Sequence, residues 1–425
     1  MRTLRYRSPQ ATRWLRQLQT RRAENAEEAS RSAEEVIREV RKEGDRAVSR
    51  SIRRFDHASL RPNDILLEKP KKQTVDSGIG KAIELSIERV RQFHEKQKQS
   101  DYTISVNGST LTHRVRPLNR VGIYVPGGKA VYLSTLVMCA VPAQLAGVKE
   151  IVVATPPNPA RLPELLDTCA RLGVGQIYRA GGPAAIAAMA IGTQSLRRVD
   201  KIVGPGNRYV DAAKRLLHGE VGIDMTAGPT EIVIVADDTA NFSWVAADML
   251  AQIEHGEDSS AICVTTSAEV AKKIDEEVLR LVRGPWRSKN IERLIDRNGA
   301  VIVMKSRAEI ASFVNELGPE HLEIQAKDAE KLADRIDNCG AIFLGPHSPV
   351  AAGDYVAGPN HVLPTAGSAR FFSPLGVYDF YKRSNVTSLS EKDFLELSPS
   401  GQTIAAFEGL DLHGASLAIR EGEES

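Results

Sequence analysis

Short apolar segments that end in glycine or proline alternate with segments of helical length between residues 120 and 238. This alternation constrains the fold more than any other feature. The apolar segments are RVGIYVPGG, KEIVVATPP, GQIYRAGG and DKIVGPGN, and TEIVIVADD follows near residue 237. Alternation of this kind is typical of βαβ units, in which helices join parallel strands. The sequence therefore predicts a mostly parallel sheet.

A second α/β series follows the first. Its predicted strands are AICVTT, AVIVMKS, HLEIQ and AIFLGP, and its predicted helices cover 267–282, 307–316 and 328–337. Two helices are predicted earlier, over 23–53 and 80–99, and the tail after about 373 is predicted to be irregular and then helical. The 425 residues exceed what one hydrophobic core can organise, so we expect at least two domains. The predicted buried face of the 23–53 helix consists of Val36, Ile37, Val40, Ala47, Val48 and Ile52.

Composition excludes several classes of protein. The net charge is +2 with acids and bases mixed along the chain, so we expect no nucleic-acid partner. No apolar run has the length of a membrane span, so we expect no membrane partner. The four cysteines form no CxxC pair, which favours a reducing, cytoplasmic location. The basic N-terminus, MRTLRYRSPQATRWLRQLQTRR, allows an organellar targeting segment, although a basic helix is favoured.

Glycine-rich turns follow three of the predicted strands. They read YVPGG, AGGPAA and GPGNRYV, and none matches the GxGxxG dinucleotide fingerprint. Any one of them is best explained as a tight turn. Three in one sheet favour a ligand crevice, because glycine lets a phosphate approach the backbone and the start of a helix.

The segment DMLAQIEHGEDS combines polar residues at a predicted helix end. Ser243 is placed to begin the helix and Gly256 to stop it. Gln252 and His255 are three residues apart, so they share one helix face and offer a nitrogen and an oxygen that suit zinc. Taken alone, a histidine in a last helical turn is better explained by its favourable interaction with the helix dipole.

Three further segments carry polar residues that could join a site. ELGPEHLEI places Glu320 beside His321. The two residues could form an acid–base pair, or they could simply be the polar start of a strand. Without further support, the polar strand start is the better interpretation. SPVAAGDYVAGPNHVLPTAGS is a long loop that carries Asp354 and His361, and long loops in compact enzymes are often functional. The tail segment FEGLDLHGAS carries Glu408 and His413, which alone would be taken as surface groups.

Together these segments resemble the histidinol dehydrogenase family. The resemblance runs from RRFDHASL to EGLDLHGAS and is strongest in GPGNRYVDAAKRLLHGEVGIDMTAGPTEI, QIEHGEDS, GPEHLEI and GDYVAGPNHVLPT. It implies a zinc-dependent, NAD-linked, four-electron oxidation of L-histidinol through L-histidinaldehyde to L-histidine, the last steps of histidine biosynthesis. It also implies one zinc ion per subunit, which positions the substrate while the nicotinamide carries out the redox chemistry.

The resemblance also implies residue roles. His321 is expected to be the general base for the alcohol, and Glu320 is expected to activate water for the second oxidation. Glu408 is expected to contact the substrate's imidazole, and Thr230 stands where the family usually has serine. The zinc ligands fall at positions matching Gln252, His255, Asp354 and His413. The expected substrate-binding residues are Thr230, Gln252, His255, His321, Asp354, Glu408 and His413.

The cofactor contacts are a point of departure from the family. Tyr124 and Asn207 match NAD contacts, but the family's usual glutamine is Ala184 here and a usual tyrosine is Ile191. Loss of one amide hydrogen bond costs about 1 kcal/mol, a few-fold in affinity. We therefore expect weakened NAD binding through this loop, and tighter binding when glutamine is restored at Ala184.

The predicted architecture is two Rossmann-like parallel α/β domains with small N-terminal and C-terminal helical segments. The N-terminal segment is 1–20, and the first α/β domain is discontinuous, 21–123 plus 232–372. The second α/β domain, 124–231, is expected to bind NAD. The resemblance suggests a homodimer with shared active sites, in which the C-terminal segment, 373–425, crosses to the partner.

Three alternatives stay open. One is a related NAD-dependent dehydrogenase of another amino or hydroxy alcohol, against which the presence of Glu408 and His413 argues. Another is a zinc hydrolase that uses Glu320 and water and forms product without NADH. A non-catalytic binding protein is the third, and the complete set of expected ligands and bases argues against it.

Overall fold

The structure is a computed structural model that describes residues 1–127, 131–157, 162–226, 228–284, 286 and 288–422, without the side chains of 21–25. Two compact units are distinguished by their internal contacts. The first combines Met1–Gln97 with Leu118–Phe380, and the second combines Lys98–Pro117 with the chain from Tyr381 onward.

The described residues form fifteen strands and sixteen α-helices. The strands are β1 (Arg2–Arg5), β2 (Leu66–Glu68), β3 (Tyr102–Val106), β4 (Ser109–Pro117), β5 (Arg120–Tyr124), β6 (Glu150–Ala154), β7 (Gln176–Tyr178), β8 (Lys201–Val203), β9 (Gly222–Ile223), β10 (Glu231–Ala236), β11 (Ser260–Thr265), β12 (Gly299–Val303), β13 (His321–Gln325), β14 (Ala341–Leu344) and β15 (Tyr381–Ser388). The helices are α1 (Pro9–Glu43), α2 (Asp45–Ser51), α3 (Pro62–Ile65), α4 (Ser77–His94), α5 (Leu133–Ala146), α6 (Leu162–Arg171), α7 (Gly182–Ile191), α8 (Arg208–Leu217), α9 (Phe242–Glu254), α10 (Ala268–Arg283), α11 (Lys289–Asn298), α12 (Arg307–Leu317), α13 (Ala329–Ala333), α14 (Val350–Tyr355), α15 (Glu391–Phe407) and α16 (Asp411–Ala418).

The first unit contains two six-stranded sheets. Sheet I has the order β2-β7-β6-β5-β8-β9, and all its pairs are parallel except β2 with β7. Sheet II has the order β1-β12-β11-β10-β13-β14 and is wholly parallel. Their central strands are buried along their length, as expected when helices cover both faces. The predicted α/β fold with mostly parallel sheets is confirmed.

Helix α1 packs against both sheets of the first unit. It begins at the cap Ser8, whose hydroxyl accepts a hydrogen bond from the Ala11 N–H at 3.2 Å. Near its start, Trp14 belongs to the core of sheet II, whereas Val36 and Val40 belong to the core of sheet I. All six residues predicted to form the buried face of this region are buried.

Strand pairing groups the chain differently from the predicted domain boundaries. Strand β2 pairs with β7, and α1 and α2 pack on sheet I, so residues 26–68 lie with 124–231 rather than with 232–372. The predicted N-terminal segment, 1–20, is also not a separate helical segment. Strand β1 forms the edge of sheet II, and α1 continues past residue 20.

The second unit contains an antiparallel sheet, sheet III, and two helices. Its order is β15-β4-β3, and α15 and α16 follow in the chain. The helices agree with the predicted helical tail, but the sheet was not predicted. Strand β3 is exposed at every position, and its sequence YTISV alternates apolar with polar residues instead of forming the continuous apolar segment by which the strands of the parallel sheets were recognised.

No helix in the described part of the chain is both long enough and apolar enough to cross a membrane.

Candidate active site

The predicted acid–base residues lie at the amino ends of two neighbouring strands of sheet II. Strands β10 and β13 pair in parallel with Ile232 opposite His321, so Glu320 comes beside Glu231. Thr230 immediately precedes β10, and α9 brings Gln252 to the same place. The structure thus brings together residues separated by up to 91 positions in sequence.

Glu320 is a buried carboxylate with two hydrogen-bond donors. Its Oε2 accepts a hydrogen bond from Thr230 Oγ1 at 2.5 Å and another from the Glu231 N–H at 2.9 Å. Burial raises the pKa of Glu320, while His321 and the two hydrogen bonds act in the opposite direction. A carboxyl group with a raised pKa is a stronger base when ionised, which suits proton removal from water.

His321 is buried and its ring is oriented by the backbone. Its Nδ1 lies 3.1 Å from the Glu231 carbonyl oxygen and 3.5 Å from Glu320 Oε2. Because a carbonyl oxygen only accepts, Nδ1 carries the proton in the neutral ring and Nε2 is left as the basic nitrogen. The ring of Phe343 lies 6.3 Å away, centroid to centroid, and gives this part of the site an apolar wall.

The end of α9 supplies Gln252 and His255. Gln252 is buried, and its Nε2 donates to Thr230 Oγ1 at 2.7 Å, which orients the side-chain amide. His255 keeps part of its surface exposed, yet partial burial of the ring lowers its pKa. The charge of the nearby Asp354 carboxylate acts in the opposite direction. Glu257 instead pairs with Arg293, so it takes no part in this cluster.

His361 is a site residue to which the sequence analysis gave no role. Its Nδ1 lies 2.8 Å from the Asp354 carbonyl oxygen, and its Nε2 lies 3.4 Å from Thr135 Oγ1. Burial lowers the pKa of His361, and nearby His321 and His255 add to that effect. The long predicted loop was the available signal, since it carries both residues, but the structure places Asp354 in helix α14 and only His361 in the irregular segment that follows.

The donor chemistry of this cluster fits zinc, although the described residues contain no ready-formed group of three or more His, Cys, Asp or Glu ligands. An imidazole, a carboxylate and an amide oxygen are all donors that zinc accepts. Gln252 Oε1 suits this role, because its amide nitrogen is already engaged with Thr230 and its oxygen accepts no hydrogen bond from the described part of the chain.

Glu408 and His413 belong to the second unit. Glu408 ends α15 and His413 lies in α16, and both side chains are exposed. The other proposed metal ligands, Gln252, His255 and Asp354, all belong to the first unit.

The carboxyl ends of sheet I form the second place where predicted residues gather. Tyr124 ends β5, and its buried hydroxyl accepts a hydrogen bond from the Gly182 N–H at 3.1 Å. Burial raises the pKa of Tyr124 to about 12. Asp56, which the sequence analysis passed over, accepts a hydrogen bond from the Gly181 N–H, so the first amides of α7 are already engaged.

The remaining two predicted cofactor positions differ in exposure. Asn207 is exposed and caps α8, its Oδ1 accepting hydrogen bonds from the Tyr209 and Val210 N–H groups at 3.0 and 3.1 Å. Ala184 is completely buried in the core between α1 and sheet I. A glutamine there would have to displace core side chains, so the structure gives no support to the expectation that restoring it tightens NAD binding.

The two largely parallel sheets, with a buried acid–base pair at the strand ends of sheet II and glycine turns at the strand ends of sheet I, define an α/β enzyme. Its family is shown by comparison with known proteins. The family profile for histidinol dehydrogenase matches residues 19–421. The chain therefore belongs to the histidinol dehydrogenase family.

Individual relatives agree with this assignment. The chain is 43% identical over 402 residues to the histidinol dehydrogenase of Bacillus cereus, covering 94% of each chain. It is 42% identical over 404 residues to that of Aquifex aeolicus, covering 93% of each. A solved structure of histidinol dehydrogenase from Elizabethkingia anophelis superposes with a TM-score of 0.84 at 34% identity, covering 92% of each chain.

Proposed function

We propose that this protein oxidises L-histidinol through L-histidinaldehyde to L-histidine, with NAD as the hydride acceptor in both steps. The observation that carries the proposal is the pairing of His321 with Glu320 in one buried site. His321 presents a basic Nε2, and Glu320 is a carboxylate whose pKa is raised by burial. An alcohol oxidation followed by an aldehyde oxidation needs a base for the substrate and then a base for water.

His321 serves the first oxidation. Its Nε2 removes the proton of the substrate's hydroxyl group while the carbon gives up a hydride. The hydrogen bond from Nδ1 to the Glu231 carbonyl keeps the ring in this tautomer and stabilises the imidazolium that forms. Phe343 helps to exclude water from this side of the ring.

Glu320 serves the second oxidation. As an ionised carboxylate it removes a proton from the water that adds to the aldehyde, and His321 then accepts the proton of the hydrate's hydroxyl group. Thr230 holds the Glu320 carboxylate in place through a 2.5 Å hydrogen bond and contacts the substrate.

Each proposed cofactor has its own set of candidate residues. Gln252, His255, Asp354 and His413 would hold one zinc ion per subunit. Tyr124 and Asn207 would contact NAD at the strand ends of sheet I. Zinc, when bound, orients the substrate's amino group and imidazole nitrogen, and NAD supplies the redox chemistry.

We propose further that the protein is a homodimer in which Glu408 and His413 complete the partner's site. Both are exposed, and large apolar side chains of the same helices are exposed with them. Phe407 has 92% of its surface accessible and Leu412 has 85%. Exposed apolar side chains of this size favour burial against another chain.

The deciding experiment is the stoichiometry of the reaction. Purified, zinc-loaded protein should form two NADH for each histidinol consumed, measured by absorbance and by amino-acid analysis of the product. Absence of NADH formation with histidinol, in protein that is folded and contains zinc, would reject the proposal. Turnover of a hydrolysable substrate without NADH formation would instead indicate a hydrolase.

A further inference from the structure

A cavity of about 780 Å³ lies at the N-terminal end of α1, among residues to which the proposed function gives no role. We call it the arginine cavity, because half of the residues that line it are arginines. The lining residues are Arg2, Arg7, Pro9, Thr12, Arg13, Trp14, Arg16, Gln17, Thr20 and Arg297.

The wall of the arginine cavity is held by regular structure. Arg2 lies on β1, where it pairs with Ala300 of β12, and Arg13 and Arg16 lie on α1. The Trp14 indole N–H donates to the Arg297 carbonyl oxygen at 3.3 Å, which ties α1 to the end of α11. The backbone that carries Arg2, Arg13 and Arg16 is therefore held by a strand pairing and by a helix.

The charge of the arginine cavity is strongly one-sided. Of the residues that the structure describes, five arginines and no aspartate or glutamate line it, although the whole chain has a net charge of only +2. Among the described residues, only Arg297 of these five has a carboxylate within ion-pair distance, Glu257 at 3.5 Å. The positive end of the α1 dipole adds to the same potential. Like charges collected in one concave place favour binding of an anion.

We propose that the arginine cavity binds a polyphosphate chain. A single phosphate group carries about two negative charges, which leaves most of five guanidinium groups uncompensated. Several linked phosphates match both the charge and the planar, bidentate geometry of arginine. In the described part of the lining Trp14 is the one aromatic residue, and it is 2% exposed, so this part of the wall offers no ring to stack on a nucleic-acid base. Recognition therefore rests on the phosphates.

The test is a calorimetric titration of the full-length protein with sodium tripolyphosphate at low ionic strength, without free divalent metal. Wild-type protein should bind one tripolyphosphate per chain, and inorganic orthophosphate should bind at least about tenfold more weakly. The variant Arg13→Glu/Arg16→Glu should weaken tripolyphosphate binding at least about tenfold. Arg38→Glu, an exposed residue of the same helix outside the cavity, should leave binding unchanged.

Circular dichroism would show that each variant is folded, and Arg13→Gln/Arg16→Gln replaces the double variant if it is not. A titration with ATP separates a nucleotide's phosphate tail from free polyphosphate, and binding of either that Arg13→Glu/Arg16→Glu weakens supports the proposal, whereas binding that the double variant leaves unchanged overturns it. Absence of saturable binding, equal weakening by Arg38→Glu, or binding of single-stranded RNA without binding of tripolyphosphate would overturn it. NADH formation from histidinol is a separate measurement and does not depend on this cavity.

Discussion

The Thr230 hydroxyl donates a hydrogen bond to the Glu320 carboxylate across 2.5 Å, and the same hydroxyl oxygen accepts one from Gln252 at 2.7 Å. These two bonds join α9, the start of β10 and the start of β13 into one polar network. The helix end that offers proposed metal ligands is therefore coupled directly to the carboxylate that we propose activates water. A hydroxyl is needed at position 230, because only a group that both donates and accepts can join an amide N–H to a carboxylate.

Glu320→Gln should separate the two oxidations. The amide keeps the shape of the carboxyl group but cannot take a proton from water, so we expect one NADH per histidinol instead of two. The aldehyde formed should be trapped by semicarbazide. The second oxidation should slow by about 10²–10⁴-fold, the usual contribution of a general base. Glu316→Gln, an exposed residue of α12, is the matched control. Unchanged stoichiometry would contradict the role of Glu320.

His321→Asn should abolish most turnover and leave zinc in place. Asparagine can still donate to the Glu231 carbonyl, but it offers no basic nitrogen for the alcohol. We expect a loss of about 10²-fold or more in kcat, with zinc content by atomic absorption unchanged. His218→Asn, at the exposed end of α8, serves as the control for replacing a histidine. Full activity in His321→Asn would remove the residue from the role of base.

The parallel sheets could be predicted because their central strands are buried on both faces. Such strands consist of continuous apolar segments, such as EIVIVA of β10, that are visible in the sequence. Helix α10 has the opposite kind of signal, an apolar face with helical spacing. Strands β3 and β15 are almost wholly exposed, so neither signal applies to them. Strand β15 pairs with β4 across more than 260 residues, which no local pattern reveals, whereas β3 and β4 form a hairpin around Asn107 and Gly108, a local signal that was overlooked.

The site could be predicted only in part. Single motifs such as QIEHGED were ambiguous, and family resemblance decided among their interpretations. What the sequence cannot supply is the register of β10 against β13, which places Glu231 against Glu320 and His321. The burial of Ala184 was also hidden, because it depends on α1 packing over α7. The sequence shows a histidine at position 361, but it does not show that His361 lies next to Thr135, because the two residues are far apart in the chain.

Glu323→Gln should stabilise the protein increasingly as pH rises. Glu323 is fully buried on β13 beside Asp248, and burial, with the Asp248 charge, raises its pKa to about 9. The folded state therefore holds a proton that the unfolded state releases near its usual pKa, so wild-type stability falls as pH rises towards about 9. The amide has no proton to lose and can still donate to Asp248.

Thermal unfolding at about pH 5 and about pH 9 would measure this difference. We expect the variant to gain about 1–3 kcal/mol over wild type at the higher pH and less at the lower. Glu276→Gln, on the exposed face of α10, should change stability by less than about 0.5 kcal/mol at either pH. If the difference in unfolding free energy between Glu323→Gln and wild type did not grow with pH, the folded state would not hold the proton that we assign to Glu323.

Lys214→Met should destabilise the protein strongly. Lys214 and Asp224 form a buried ion pair. Both also bind the backbone of Gly204: the Lys214 ammonium donates to its carbonyl oxygen, and the Asp224 carboxylate accepts from its N–H. Removing the cation leaves Asp224 buried and unpaired, which costs about 3–5 kcal/mol. Adding Asp224→Asn should recover part of this loss. In contrast, Arg41→Met breaks a half-exposed pair and should cost less than about 1 kcal/mol, so equal losses in urea unfolding would contradict the burial argument.

Mixing two inactive variants should restore activity if the tail of each chain serves its partner. His321→Asn removes the base from the first unit, and His413→Asn removes a proposed ligand from the second. In a hybrid dimer, the His413→Asn chain contributes an intact His321, and the other chain contributes an intact His413, so one of the two sites is complete. Random reassociation of equal amounts should therefore give about a quarter of wild-type activity.

The control mixture combines His321→Asn with Glu320→Gln. Both residues belong to the first unit, so every site in any hybrid lacks one of them and full histidinol oxidation stays lost. If each tail served its own chain, the mixture of His321→Asn with His413→Asn would be equally inactive, because no site would hold both histidines. Activity in the first mixture and not in the control thus assigns His413 to the partner's site, independently of how strongly either substitution affects stability.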